Sequence, residues 1–549
     1  MISLAWKVGP QETARRNLSK RELVAKILTF RLGYLFLMAT SCALIPDHSP
    51  GDDVLRFDLR LTSYDDSDQC FCLPEHDCAE CVGHKKMKNY TFCDSPSSSS
   101  FLLPTAAWKF ALSPLTKWDA ARFLHLAVRP SLRDPPPSCL KGDVSTCDFS
   151  DSEQAHAFFP FFPTLLRYLA LCWVYVAPST LLPPTFECLV VLTGFFVNTV
   201  CLVVSTLSLL SLTTAILPMT ISIDSRRRVA VAACLVHGIW NPASVFFATN
   251  YSESLFSALT LAGHAAFYQQ QYVVALPLWS LASWTRSNGT IHCIWLLIQM
   301  LGHISHLFGT QASKKIRQAS LVSAVARIFL FALWTIVIFL PVRYHDQSGY
   351  SRNCRNDSTI RPKWCLEGSS SFSLYGWTQR QHWNVGFFRY YELKHIPNFL
   401  LAAPILALSS LAVFLWIRDS MVAYGKGKVP STPYMILIGW PVQALADSVA
   451  SESTFSPAPP TAVHDFLISN PKLLGHYAIL AGLALVGLLV AHVQISTRMI
   501  CSSSPAMTWF LTYILLQDEN PRLRQFVKIY TALYMLLGVI LHVNCLPWT

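Results

Sequence analysis

Five clusters in this 549-residue chain combine charge with aromatic side chains in a way that could do chemistry. The first is Lys117-Trp118-Asp119-Ala120-Ala121-Arg122-Phe123. A carboxylate among aromatics can take a proton from a hydroxyl, so Asp119 is a candidate general base. The plainer reading is a helix cap over Asp119 to Ala127. The second is Glu153-Gln154-Ala155-His156-Ala157-Phe158-Phe159-Pro160, where an acid and an imidazole three apart share a helix face. That pair could hold a proton, a metal or a sugar, or it could simply end a solvated loop. The third runs from Asn241-Pro242-Ala243-Ser244 to Tyr251-Ser252-Glu253-Ser254. Glu253 stands where an apolar helix begins, and an acid there serves either function or the helix dipole. The fourth is Trp284-Thr285-Arg286-Ser287-Asn288-Gly289. Arginine is the favoured partner of phosphate oxygens, although an arginine at a membrane surface can also snorkel to headgroups. The fifth is Trp383-Asn384-Val385-Gly386-Phe387-Phe388-Arg389-Tyr390-Tyr391-Glu392-Leu393-Lys394. Its aromatics suit a lipid chain and its cations a lipid phosphate; an aromatic belt is the alternative.

These side chains must be positioned by a membrane protein. The chain is 52% hydrophobic and 14% charged, and its mean hydropathy is +0.36. A water-soluble chain carries about 25% charged residues. The net charge of +11 fits basic loops on one membrane side better than nucleic acid, since no nucleic-acid motif accompanies it. Apolar runs predict helical spans over 24–45, 164–183, 186–205, 206–222, 229–249, 253–270, 272–284, 291–309, 320–342, 397–417, 432–449, 474–495 and 526–546. The run 272–284 is short, and 506–516 reads as an interfacial or re-entrant piece.

The first run follows Arg15, Arg16, Lys20 and Arg21 without a cleavage site, as a signal anchor would. If it leaves the cytoplasm and the spans alternate, Arg226 to Arg228, Lys314 to Arg317 and Arg418 to Lys428 fall on the cytoplasmic side. Arg522, Arg524 and Lys528 need one extra crossing, or none, depending on 506–516. This scheme makes the chain one polytopic domain with a cytoplasmic 1–23 and lumenal loops at 46–163 and 343–396. All five clusters then lie on one face. Cysteines at 70, 72, 78, 81, 93, 139, 147, 354 and 365 fall in lumenal loops, where disulfides are favoured over a zinc site at Cys78 and Cys81. Of the sequons at Asn17, Asn89, Asn250, Asn288 and Asn356, all but the first fall on the lumenal side.

Taken together, these stretches strongly resemble the GPI mannosyltransferase 2 family. The resemblance rests on Trp118-Asp119 with Phe123, Glu153 to Pro160, Asn241 to Ser254, Arg286 to Gly289 and Trp383 to Pro404. It also rests on His492-Val493-Gln494-Ile495-Ser496-Thr497-Arg498 with Ser504-Pro505, and it extends over roughly 24–545. The resemblance implies an all-α, multi-span bundle of the C-type glycosyltransferase class in the endoplasmic reticulum membrane, with its active site facing the lumen. It implies transfer of a second, α1,6-linked mannose from dolichyl phosphate mannose to a glycosylphosphatidylinositol precursor. Inversion in one displacement would use Asp119 as base. Arg286, Arg389, Lys394 and Arg498 are candidates for the donor phosphate. Glu153, His156 and Glu253 are candidates for the acceptor or a metal. Trp118, Asn241, Tyr251, Asn288, Trp383 and Asn384 would line the substrate.

No cofactor is required by the sequence. A divalent metal could sit at Glu153 and His156, but no spacing demands it. The resemblance is compatible with a small membrane subunit. The cysteine-rich 65–93 stretch and the Ser95–Ser100 run depart from the family pattern and read as a surface insertion. The competing class, a lipid or solute transporter or scramblase, predicts internal repeats and charges buried in mid-span; the sequence shows no clear repeat and few such charges. A histidine-dependent acyltransferase would want its histidine deep in a span, and His156 stands at a loop end.

Overall fold

The computed structural model describes residues 18–45, 105–129, 152–178, 182–183, 185–298, 300–301, 314–354, 365, 373–424, 463–470 and 473–546. These residues form α-helices linked by 3₁₀ turns and one π-turn, with no strand among them. The chain is an all-α polytopic membrane protein. The cysteine-rich stretch 65–93, Cys139, Cys147, the sequons at Asn17, Asn89 and Asn356 and the expected span 432–449 lie outside the described residues.

Helix α1 is Lys20–Leu44. It starts at a capping box: Ser19 Oγ accepts from the Glu22 amide at 3.2 Å, and Glu22 Oε2 accepts from the Ser19 amide at 2.7 Å. After α2, Thr105–Leu112, comes α3, Asp119–Val128, an amphipathic helix that buries Ala120, Ala121, Phe123, Leu124, Ala127 and Val128. Arg167 of α4, Phe161–Val176, caps the end of α3 by donating to the carbonyls of Ala127 and Val128 at 3.2 and 2.8 Å. Helix α5 then runs unbroken over Phe186–Ile216.

Two expectations fail here. The runs 186–205 and 206–222 are one helix. Ser205 and Thr206, the polar pair between them, donate to the Leu202 carbonyl at 2.9 and 2.7 Å, so they continue the helix instead of breaking it. The run 164–183 is also no span: α4 has 16 residues, about 24 Å.

A contact between helix ends places Arg226–Arg228 beside the start of α1. Arg227 donates to the Leu18 carbonyl at 3.2 Å, so the start of α6, Ile223–Gly238, sits beside the start of α1. Of the three expected runs here, only α5 is long and apolar enough to span a bilayer.

A short helix α7, Ser244–Ala248, precedes α8, Glu253–Tyr268, and α9, Tyr272–Thr285. Helix α10, Lys314–Cys354, extends well past the expected span 320–342. Its polar end packs beneath α11, Ser373–Trp383, and Cys354 is disulfide-bonded to Cys365 with a Cα–Cα distance of 5.6 Å. The stretch 343–396 is therefore partly helical, not a plain loop. Helix α12 is Ile396–Tyr424, α13 Phe466–Ser469 and α14 Leu474–Leu489. Helices α15, Ser496–Ser503, and α16, Pro505–Leu516, belong to a pair of apolar segments bent by 84°.

The last helix, α17, Pro521–Leu537, runs parallel to α1. Tyr34 donates to the Met535 carbonyl at 2.9 Å, and Asn544 donates to Ser41 Oγ at 3.0 Å. Arg522, Arg524 and Lys528 thus share the end of the bundle that holds Lys20, Arg21 and Arg226 to Arg228. Trp509 Nε1 of α16 donates to Thr213 near the end of α5 at 2.9 Å, which brings the bent pair back beside that end of the bundle. Among the described residues five helices are long and apolar enough to span a bilayer, or seven if each bent pair is one span. Among the described residues, the expected runs therefore outnumber the helices long enough to span.

Candidate active site

The site is assembled on the N-terminal half of α5, away from the basic end. Asn198, a lone amide in an apolar helix, is fully buried. Its Nδ2 donates to the carbonyls of Thr249 at 2.7 Å and Tyr251 at 3.1 Å, and Asn250 donates back to the Val191 carbonyl at 3.2 Å. Gly194 lets this turn come close, because a Cβ there would stand 2.3 Å from Asn250 Oδ1. With its amide spent and fully buried, Asn250 is not placed as a glycan acceptor. The pinned turn presents Tyr251 and Glu253. Asn241 shapes the other end of the motif: its Oδ1 accepts from the Ala243 amide at 2.9 Å and its Nδ2 donates to the His237 carbonyl at 3.3 Å. It is a turn residue within the described contacts.

Asp119 meets this turn from α3. Its backbone amide donates to Tyr251 Oη at 3.2 Å. Its carboxylate does not cap the helix. Trp118 occupies the cap position, with φ of 56°, and makes no side-chain cap bond. The two carboxylate oxygens accept instead from two arginines. Arg122, one turn on, donates to Oδ1 at 3.0 Å, and Arg498 of α15, 379 residues away, donates to Oδ2 at 2.8 Å. Arg498 Nε also lies 3.7 Å from Glu253 Oε1, and Glu253 pairs with Arg286, which reaches Ser252 Oγ at 3.3 Å. Three guanidiniums and two carboxylates thus form one connected network with an excess of one positive charge.

Aromatic faces hold the arginines in place. The Arg498 guanidinium lies 5.4 Å from the Tyr251 ring and 5.6 Å from Phe246; Arg122 lies 5.7 Å from Phe158 and 6.0 Å from Trp383. The Glu253 side chain is 0% exposed and that of Asp119 18%, so Asp119 is the carboxylate a substrate can reach. Burial by itself would raise the Asp119 carboxyl, but Arg498 and Arg122 outweigh it and lower it to about 2. Asp119 is ionised at neutral pH, and as long as both arginines hold it, it is a weak base. Several atoms in the network have no hydrogen-bond partner: Glu253 Oε2, Arg122 Nε, Arg498 Nε and Trp118 Nε1.

The remaining expected residues divide. Asn288 lies at the edge of the network, donating to Ser503 Oγ at 2.9 Å, and Trp383 touches it through Arg122. Glu153 and His156 stand apart from it. Glu153 Oε1 is 3.7 Å from His382 Nε2. The rings of His156 and His345 stack at 4.1 Å, and each ring contacts the other's carbonyl oxygen, at 2.8 and 2.9 Å. Residues 153–157 are a 3₁₀ turn tying this segment to α10 and α11. Among the described residues no group of three His, Cys, Asp or Glu could hold a metal ion.

Arg389 and Lys394 are exposed, and Lys394 is 2.6 Å from Glu392. Asn384, at φ of 51°, donates to the Arg389 carbonyl at 2.9 Å and so closes a local turn. Neither cation reaches the Asp119 network. Arg122 was not singled out from the sequence, although its i+3 spacing from Asp119 is a readable signal. Asn198 likewise could have been found as the one amide in its apolar run. His492, near Asp119, is neutral at ordinary pH: burial first, and then Arg498, lowers its imidazole to about 4.

Residues 87–549 match the family model described as Mannosyltransferase (PIG-V). The chain is similar to GPI alpha-1,6-mannosyltransferase 2 of Cricetulus griseus, at 29% identity over 80% of this chain and 88% of the relative. It is similar to the Homo sapiens protein of that name at 28% identity, over 56% and 68%. It is also similar to GPI mannosyltransferase 2 of Schizosaccharomyces pombe at 26% identity, over 55% and 54%. No solved structure matches.

Proposed function

The chain belongs to the Mannosyltransferase (PIG-V) family, and on that premise we propose that it adds the second, α1,6-linked mannose to a glycosylphosphatidylinositol precursor. It is a glycosyltransferase of the membrane. The donor is dolichyl phosphate mannose, and the reaction takes place on the lumenal face of the endoplasmic reticulum, opposite the basic end of the bundle. A small membrane subunit is compatible with this reading.

The observation that carries the mechanism is the placement of a reachable carboxylate inside a cationic, aromatic-walled network. The acceptor 6-hydroxyl attacks the anomeric carbon. The bond from that carbon to the phosphate oxygen breaks, its electron pair leaves with dolichyl phosphate, and the hydroxyl proton passes to Asp119. The β-linked donor gives an α-linked product, which is a single inversion. The departing phosphate needs no proton, only positive charge, and Arg498 with Arg122 supplies it next to the base. Arg286 acts one step back, through Glu253. A donor phosphate competes with Asp119 for Arg498, so binding of the donor loosens the carboxylate and makes it a better base. Tyr251, Trp118 and Trp383 form the walls of the site.

The test is an assay with purified full-length protein, labelled dolichyl phosphate mannose and a one-mannose precursor. Asp119→Asn should be produced normally and lose turnover. Product formation without the labelled donor, or no transfer to the one-mannose precursor, would overturn the reading.

A further inference from the structure

Arg31 has a different environment from every arginine of the site. It lies in the middle of α1, a membrane span, and is 3% exposed. Its Nε donates to Thr199 Oγ1 at 3.4 Å, and its guanidinium carbon is 5.4 Å from the centre of the Phe195 ring. Its Nη2 is buried without a hydrogen-bond partner, and no carboxylate pairs with it among the described residues. Thr199 cannot balance the charge, since its hydroxyl is neutral; it donates its own hydrogen to the Phe195 carbonyl at 2.7 Å. A guanidinium stays ionised in a protein. An ionised group at this depth is costly unless an opposite charge accompanies it.

The same guanidinium borders a small cavity lined also by Tyr34, His237, Asn241, Ser244 and Phe247. Most of its other polar groups are engaged. Tyr34 donates to Met535, Asn241 to His237 and Ser244 to the Asn241 carbonyl at 2.6 Å, while His237 Nε2 is 3.0 Å from Ser205 Oγ. Among the described residues of the lining there is one cation and no acid, which calls for a single negative charge. The cavity is small, which favours a monatomic anion over a phosphate or a lipid headgroup.

We propose that this cavity, between α1, α5 and the Asn241–Phe247 segment, binds one small inorganic monoanion of the halide type, with Arg31 as its counter-ion. The anion would neutralise Arg31 and fasten α1 to the segment whose far end presents Tyr251 and Glu253. This inference does not depend on the identity of the transferred sugar.

The experiment is thermal unfolding of the purified full-length protein in potassium gluconate, with chloride or bromide replacing gluconate at constant ionic strength. Wild type should show a saturable rise in melting temperature of about 2 °C or more, as ligand linkage requires. Arg31→Gln should lose the halide response, and Arg31→Lys, which keeps the charge, should respond with a shifted midpoint. Should Arg31→Gln not fold, wild type and Arg31→Lys still decide the matter. Indifference of wild type to halide, an equal response in Arg31→Gln, or a response to phosphate in place of halide would overturn the proposal.

Discussion

The molecule holds two clusters of the same residue types in very different settings. The interior network of Asp119, Arg122, Glu253, Arg286 and Arg498 has side chains no more than 18% exposed. The rim cluster includes Lys394 and Glu392, whose side chains are 67% and 43% exposed. Both contain close ion pairs, at 2.8 Å for Arg498–Asp119 and 2.6 Å for Lys394–Glu392. Distance therefore does not separate them. What differs is the medium. At the rim, water screens the pair and leaves it little net worth. In the interior the same attraction sets protonation states and fixes geometry, and removal of one partner strands the other.

The largest expected effect is that of Asp119→Asn. Asparagine keeps the shape but cannot take the proton, so turnover in the mannose-transfer assay should fall about 10²–10⁴-fold at normal abundance. Normal turnover would place the interior network on a par with the rim and end its catalytic role. Glu253→Gln comes next. It leaves Arg286 without its buried partner, a loss of about 3 kcal/mol at the low end for buried pairs, because Arg286 is partly exposed. Thermal unfolding of the purified variant should show this, and Glu253→Gln combined with Arg286→Met should recover part of the loss. No recovery would mean that the two do not act as a pair.

A pH series sharpens the contrast. The Asp119 carboxyl is depressed from about 4 when unfolded to about 2 when folded. Its contribution to stability is present above about pH 4 and is lost as the pH falls through about 2. Between pH 7 and 5 this group should leave stability unchanged. Arg498→Gln removes the stronger of the two cations and should move the acid limb of stability upward. An unmoved limb would show that Arg498 does not hold the carboxylate.

Much of this was legible in advance where one local signal decides it. Asp119–Val128 was expected as a helix over 119–127, and the first and last spans fall close to the apolar runs at 24–45 and 526–546. The unbroken α5 was not legible. Ser205 and Thr206 look like a break, but only the fold shows their hydroxyls returning to the helix's own carbonyls. The pairing of Asp119 with Arg498 spans 379 residues, and no local pattern connects them. The Glu153–His156 spacing suggested a site, whereas contacts with His382 and His345 turn those side chains toward α11 and α10. Aromatic-flanked charge in sequence marks both the network and the rim, and burial alone tells them apart.

The smallest expected effect is at the rim. Lys394→Ala removes an exposed cation paired with Glu392, whose carboxyl that lysine's hydrogen bond lowers. An exposed, water-screened pair contributes little, so the change in kcat/KM should stay below about fivefold. Arg389→Ala should behave alike, because its side chain is exposed and does not reach the Asp119 network. Salt separates this outcome from a hidden role. A screened surface pair weakens further as ionic strength rises, so the small difference between wild type and Lys394→Ala should vanish in high salt. The 384–392 segment is anchored to α14 by the amides of Gly386 and Phe388, which donate to the carbonyls of Val490 and Leu489 at 2.9 and 2.8 Å. That anchoring keeps its cations outside unless the segment closes over a bound donor. If Lys394→Ala or Arg389→Ala lost activity as heavily as Asp119→Asn, closure would have occurred, and the boundary between interior and rim would shift when substrate binds.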